Sequence, residues 1–111
     1  CVERRQYENI GKHMIYLIAT LEIKPGSLPK IMEAVMPCIE ATRRESGCIS
    51  YDLVQNLTDE NTLMFVERWT DKAALDAHFE EPHLIAWRDA GAPFFVGRKI
   101  EIIEPADVEV R

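Results

Sequence analysis

The sequence predicts an α+β domain with the ferredoxin-like order β-α-β-β-α-β, two helices lying on one face of an antiparallel sheet. Three observations predict it. Short apolar and β-branched runs recur four times, apolar residues recur at helical spacing in two stretches between those runs, and the pattern changes at turn residues such as Lys24-Pro25-Gly26 and Gly91-Ala92-Pro93. At 111 residues the chain fits one small domain with a single core.

The first strand is "MIYLIATLEI", Met14 to Ile23, rich in β-branched residues and stopped by the Pro-Gly turn. Ser27 is placed to cap the first helix, Pro29 is tolerated in its first turn, and Leu28, Ile31, Met32, Val35, Ile39 and Thr42 form its apolar stripe as far as Gly47. Pro37 lies inside this stripe and is expected to kink the helix, because it removes a backbone donor and crowds the preceding turn. "CISYDLVQN" and "TLMFVERW" then read as a β-hairpin over Cys48 to Trp69, turning at "LTDEN". Thr70 or Asp71 can cap a second helix in which Ala74, Leu75, His78 and Phe79 share a face, and Pro82 ends or bends it. A short helical turn from His83 to Ala90 and a last strand from Phe94 to Ile103 complete the domain, which spans residues 14–111. Residues 1–13 are polar and aperiodic, and are expected to be a flexible extension or an expression remnant preceding a natural start at Met14.

The first strand is apolar on both sides, yet two helices cover only one face of a sheet. A homodimer through the other face is the expected solution. The formal charge is -6 and the basic residues are dispersed, which excludes a nucleic-acid partner, and no apolar run approaches the roughly 20 residues that span a bilayer. Three cysteines, Cys1, Cys38 and Cys48, with no C-x-x-C pair, fit a soluble cytoplasmic protein whose thiols stay reduced.

Candidate site residues concentrate between Tyr51 and Trp87. In the third strand Leu63, Phe65, Glu67 and Trp69 project to one side, which sets a carboxylate between two large aromatics. Glu67 is there either as a functional group or as a salt-bridged or hydrogen-bonded strand end. Tyr51 can reach the same side from the second strand, or serve as a core residue with its hydroxyl at the surface. His78 falls on the apolar face of its helix, where an imidazole is either a satisfied core residue or a proton-transfer group. His83 and Trp87, four residues apart, suggest a lid. No metal site is expected, since the spacing of His78 and His83 does not bring both rings to one helical face. Dinucleotide, P-loop and Ser-His-Asp signatures are absent from the sequence.

"ESGCISYDL" from Glu45 to Leu53 and "FVERWTDKAALDAHFEEPH" from Phe65 to His83 resemble the antibiotic biosynthesis monooxygenase domain family. The resemblance covers Met14 to about Glu104. It implies a ferredoxin-like protomer, a homodimer whose sheets form an α/β barrel, and a cavity between sheet and helices. It also implies oxidation of a quinol or polyphenol by O2 without metal or flavin, with His78 as base, Glu67 and Tyr51 assisting, and Phe65, Trp69, His83 and Trp87 against the substrate. Related branches imply three alternatives. Isomerisation of a small phosphorylated sugar would use cations such as Lys24, Arg68 or Arg98; a binding or stress-response module would use no chemistry; haem cleavage would want an Asn where this chain has Ala19-Thr20.

Overall fold

The computed structural model describes residues 14–111; the expected extension over residues 1–13, with Cys1, lies outside them. The elements follow the order β1 (Ile15–Ile23), α1 (Leu28–Thr42), β2 (Cys48–Asn56), β3 (Asp59–Trp69), α2 (Lys72–Phe79), α3 (Pro82–Gly91), a single 3-10 turn (Ala92–Phe94) and β4 (Phe95–Ile103). The four strands form one antiparallel sheet in the order β2-β3-β1-β4, the ferredoxin-like arrangement.

The period-two reading holds in the centre of the sheet. Ile15, Leu17, Ala19, Leu21 and Ile23 of β1 and Leu63, Phe65, Glu67 and Trp69 of β3 are all buried toward the helices. Two cross-strand rows matter for the site. Tyr51, Glu67, Leu17 and Ile102 lie side by side across the four strands, and so do Leu53, Phe65, Ala19 and Ile100. Ala19 is the smallest of the second row, so the sheet surface dips there. On the opposite face Tyr16, Ile18, Met64 and Val66 are only half-buried, with no helix of the described residues packed over them.

Several details differ from the sequence expectations for local reasons. Ser27 stands at the N-cap of α1, but its hydroxyl donates to the Lys24 carbonyl at 2.6 Å instead of capping the helix. The buried stripe of α1 uses Cys38 in place of Met32, which is 52% exposed. Helix α1 runs through Pro37 without interruption; this proline faces solvent, where water can serve the carbonyl it leaves unpaired. Strand β3 starts three residues earlier than expected, shrinking the hairpin loop to Leu57-Thr58. The Asn56 side chain closes that loop, accepting from the Thr58 backbone N–H at 2.9 Å, so a short turn forms without glycine. Asp71, rather than Thr70, caps α2 by accepting from the Ala74 N–H at 2.8 Å.

Candidate active site

A cavity opens between the helix-facing side of the sheet and helices α2 and α3, with about 440 Å³ of space counted out to its open mouth. Leu17, Ala19 and Leu21 form its floor, Phe65, Leu84, Trp87 and Phe95 its apolar walls, and the buried Tyr51, Glu67 and His78 add polar groups to the lining. Arg88 and Arg98 stand among its lining residues as well.

His78 is 1% exposed and packed between aromatics, with ring centroids 4.6 Å from Trp69 and 5.4 Å from Tyr51. Its Nδ1 lies 2.8 Å from Glu45 Oε2, and His83 Nε2 lies 2.9 Å from the same oxygen. A carboxylate only accepts, so both ring nitrogens are donors here and His78 carries its proton on Nδ1. That leaves Nε2 with a free lone pair, on a ring that lines the cavity. Burial lowers the pKa of His78 from the ordinary imidazole range, opposed by its bond to Glu45, so the ring is held neutral near pH 7.

Three separate elements build this arrangement, and neither of its hydrogen bonds is local: Glu45 lies 33 residues from His78 and 38 from His83. Glu45 sits in the loop between α1 and β2, two residues before Gly47, where a Cβ would collide with the Cβ of Ala74 on α2. Glycine therefore lets the loop approach α2 closely enough for Glu45 to reach His78. His78 and His83 belong to different helices, broken at Pro82, and the break turns both rings toward Glu45. One continuous helix could not have done this, so the argument from helical spacing against convergence does not apply. The three donor atoms lie within 4.8 Å of one another, and this is the place among the described residues where a divalent cation could be held.

Glu67 occupies a different environment. Its Oε1 accepts from Trp69 Nε1 at 3.0 Å, and burial pushes its carboxyl up to about 7, only partly offset by that hydrogen bond. Tyr51 lines the cavity, but its hydroxyl lies 3.8 Å from Cys38 Sγ, and burial raises its pKa so that it stays protonated.

Of the residues singled out from sequence, Tyr51, Phe65, Glu67, His78 and Trp87 come together at the cavity. Trp69 and His83 do not line it. Trp69 is fully buried behind His78, where it supports Glu67 through its indole N–H, and His83 contacts the outer side of Glu45. Trp87 is a wall wedged between Phe65 and Phe95, with centroids 6.1 and 5.6 Å away, and not a lid. Among the suggested cations, Arg98 lines the cavity, whereas Lys24 does not and Arg68 bonds Ser50 from the other face of the sheet. Sequence reasoning missed Glu45 and Arg88, although Glu45 opens the E-x-G-C stretch that carried the resemblance.

The family profile described as antibiotic biosynthesis monooxygenase matches residues 14–90. The chain belongs to this family. Within the family it is 35% identical over 69 residues to the uncharacterised protein sll1783 of Synechocystis, a match covering 62% of this chain but only 47% of that protein's length. It is 33% identical over 70 residues to YcnE of Bacillus subtilis, a protein named as a candidate monooxygenase, with 63% and 74% of the two chains covered. A solved structure of a candidate antibiotic biosynthesis monooxygenase from Nitrosomonas europaea superposes with a TM-score of 0.81 at 26% identity, covering 86% of this chain and 92% of that one. The family assignment thus agrees with the ferredoxin-like sheet and with the cavity between sheet and helices. No helix among the described residues is long and apolar enough to cross a membrane.

Proposed function

We propose that this chain is a monooxygenase that oxidises a quinol or polyphenol with O2 and requires neither metal nor flavin. The observation that carries this reading is the Glu45–His78 pair, which sets a neutral imidazole in the lining of a cavity walled by aromatic side chains. An electron-rich phenol bound against Phe65 and Trp87 would give its proton to His78 Nε2, while Glu45 stabilises the imidazolium through Nδ1–H. The phenolate passes one electron to O2, and the resulting radical pair closes a bond from oxygen to a hydrogen-bearing ring carbon; the peroxide anion so formed takes the proton back from His78 to become a hydroperoxide. Loss of water then leaves a new carbonyl, so that one oxygen atom enters the product and the other leaves as water. Beyond the base, the protein contributes orientation and an apolar site. Glu67, with its carboxyl near 7, is suited to exchange a proton with the departing oxygen.

The phosphorylated-sugar isomerase reading gains Arg98 from the cavity lining. It is weaker because sugar hydroxyls against Leu17, Phe65, Leu84 and Trp87 would lose water without gaining partners. We also propose that two copies associate through the sheet face bearing Tyr16, Ile18, Met64 and Val66, and that the protein works in the cytoplasm. A monomer mass by light scattering at micromolar concentration would count against the dimer.

The test is O2 uptake by chelator-treated protein with reduced naphthoquinols and polyphenols, beside a His78→Ala variant and a blank without protein. Uptake above the blank that falls on the order of 10²-fold or more in the variant is expected. Uptake equal in both proteins would remove His78 from the chemistry, and uptake no greater than the blank would defeat the monooxygenase reading.

A further inference from the structure

Resting on the same cavity but not on its turnover, we infer that the ligand is a planar aromatic carboxylate, its ring against the apolar lining formed by Phe65, Leu84 and Trp87 and its anion toward Arg88 and Arg98. The two arginines line the cavity from different elements, the half-buried Arg88 from α3 and the exposed Arg98 from β4. Neither has an ion-pair or hydrogen-bond partner among the described residues, as is also true of Arg44 outside the cavity, whereas Arg43 pairs with Asp52 at 3.0 Å and Arg68 donates to Ser50 at 2.8 Å. Scarcity of carboxylates does not explain this, since the chain has 19 acidic residues against 13 basic ones. Glu67 shares the cavity without pairing with either arginine, and its buried carboxyl, pushed up to about 7, is a poor counter-ion for them near neutral pH.

Arg88 lies over the Phe79 ring, 5.5 Å from its centroid. That contact restrains the guanidinium by its face and leaves its edge of N–H groups for a planar anion. The rest of the lining is apolar and aromatic, so the complementary molecule has a flat hydrophobic body and charge at one end only.

Binding to the full chain, followed by tryptophan fluorescence with Trp87 in the cavity wall, tests this with three probes of one shape: 2-naphthoate, the neutral 2-naphthamide and 2-naphthyl phosphate. The carboxylate is expected to bind about tenfold more tightly than the amide, the scale of a charge-assisted hydrogen bond. Arg88→Gln and Arg98→Gln should each remove most of that preference while leaving the affinity for the amide within about twofold. Equal binding of carboxylate and amide, equal losses for both probes in the variants, or tighter binding of the phosphate would each overturn the inference. None of these measurements requires turnover. A protein that prefers naphthoate but consumes no O2 would keep this inference and lose the monooxygenase proposal, and the reverse pattern would do the opposite.

Discussion

Glu45 bonds the imidazole of His78 and Glu67 shares the cavity lining with it, and their surroundings differ in every respect that sets chemical behaviour. Glu45 comes from a loop, keeps a side chain 14% exposed, and accepts from two imidazole rings through one oxygen. Glu67 comes from the middle of the sheet, is 4% exposed, and accepts from a single indole N–H. The first is supported by donors and suits a fixed acceptor that orients a base. The second lacks such support, so desolvation dominates and its proton is retained to about pH 7. Placement in the fold, rather than residue type, divides an orienting role from a proton-exchanging one.

The largest expected effect comes from breaking the first environment. Glu45→Gln should lower kcat on the order of 10²-fold with little change in KM, because the amide can present its NH2 to His78 and disturb the tautomer that exposes Nε2. The pH profile of kcat should shift as well, which a purely structural role would not cause; an unchanged profile would show that Glu45 does not position the base.

The second environment is broken by Glu67→Gln, with a stability effect that depends on pH. Since the folded-state value lies above the ordinary one near 4.5, the native state binds the extra proton between the two, and its stability falls as pH rises from 4.5 through 7. The glutamine variant escapes this loss. It should match the parent at low pH and exceed it above pH 7 by up to about 3 kcal/mol. His78 acts in the opposite sense: its lowered pKa means that stability is lost as pH falls through the ordinary imidazole value. Thermal melts of parent and Glu67→Gln from pH 4 to 9 check both signs, and parallel curves would refute the burial argument for Glu67.

A smaller effect probes what brings Glu45 to its ring. Gly47→Ala should cost about 2 kcal/mol through overpacking against Ala74, and should weaken activity by moving the loop. Adding Ala74→Gly should restore much of both, measured by urea melts and O2 uptake; no recovery would show that this contact does not set the loop's position. Smallest is Asp71→Ala, which removes the α2 cap and should cost about 1 kcal/mol with activity retained in the remaining folded protein. A loss of activity beyond that stability change would mean that α2 needs its cap to aim His78.

The fold was legible because its strands are short β-branched and apolar runs ended by turn residues, while the one-sided burial of β1 and β3 is a product of the packing. His78 was legible because an imidazole on the apolar face of a helix asks for an explanation. Glu45 was not, since its partner lies 33 residues away and nothing local distinguishes it from any other loop glutamate. Arg88 was hidden for the same reason, being one more charged residue on a short helix until β4 closes beside it. Trp69 was assigned to the cavity because it alternates in register with Phe65, but its indole turns back to Glu67 and lies beneath His78. Strand periodicity gives the side of a sheet, and only tertiary packing gives which of those side chains border empty space.

The break between α2 and α3 also sets how the chain length can vary. Only Glu80 and Glu81 separate the two helices, so one residue added there would rotate α3 by about 100° relative to α2 and swing His83 off the oxygen it shares with His78. At the tip of the β2–β3 hairpin, Leu57 is 99% exposed and an added residue meets only solvent. Among length variants of this sequence, additions should gather at the hairpin tip, and the two-residue link before Pro82 should stay at constant length wherever both histidines are kept.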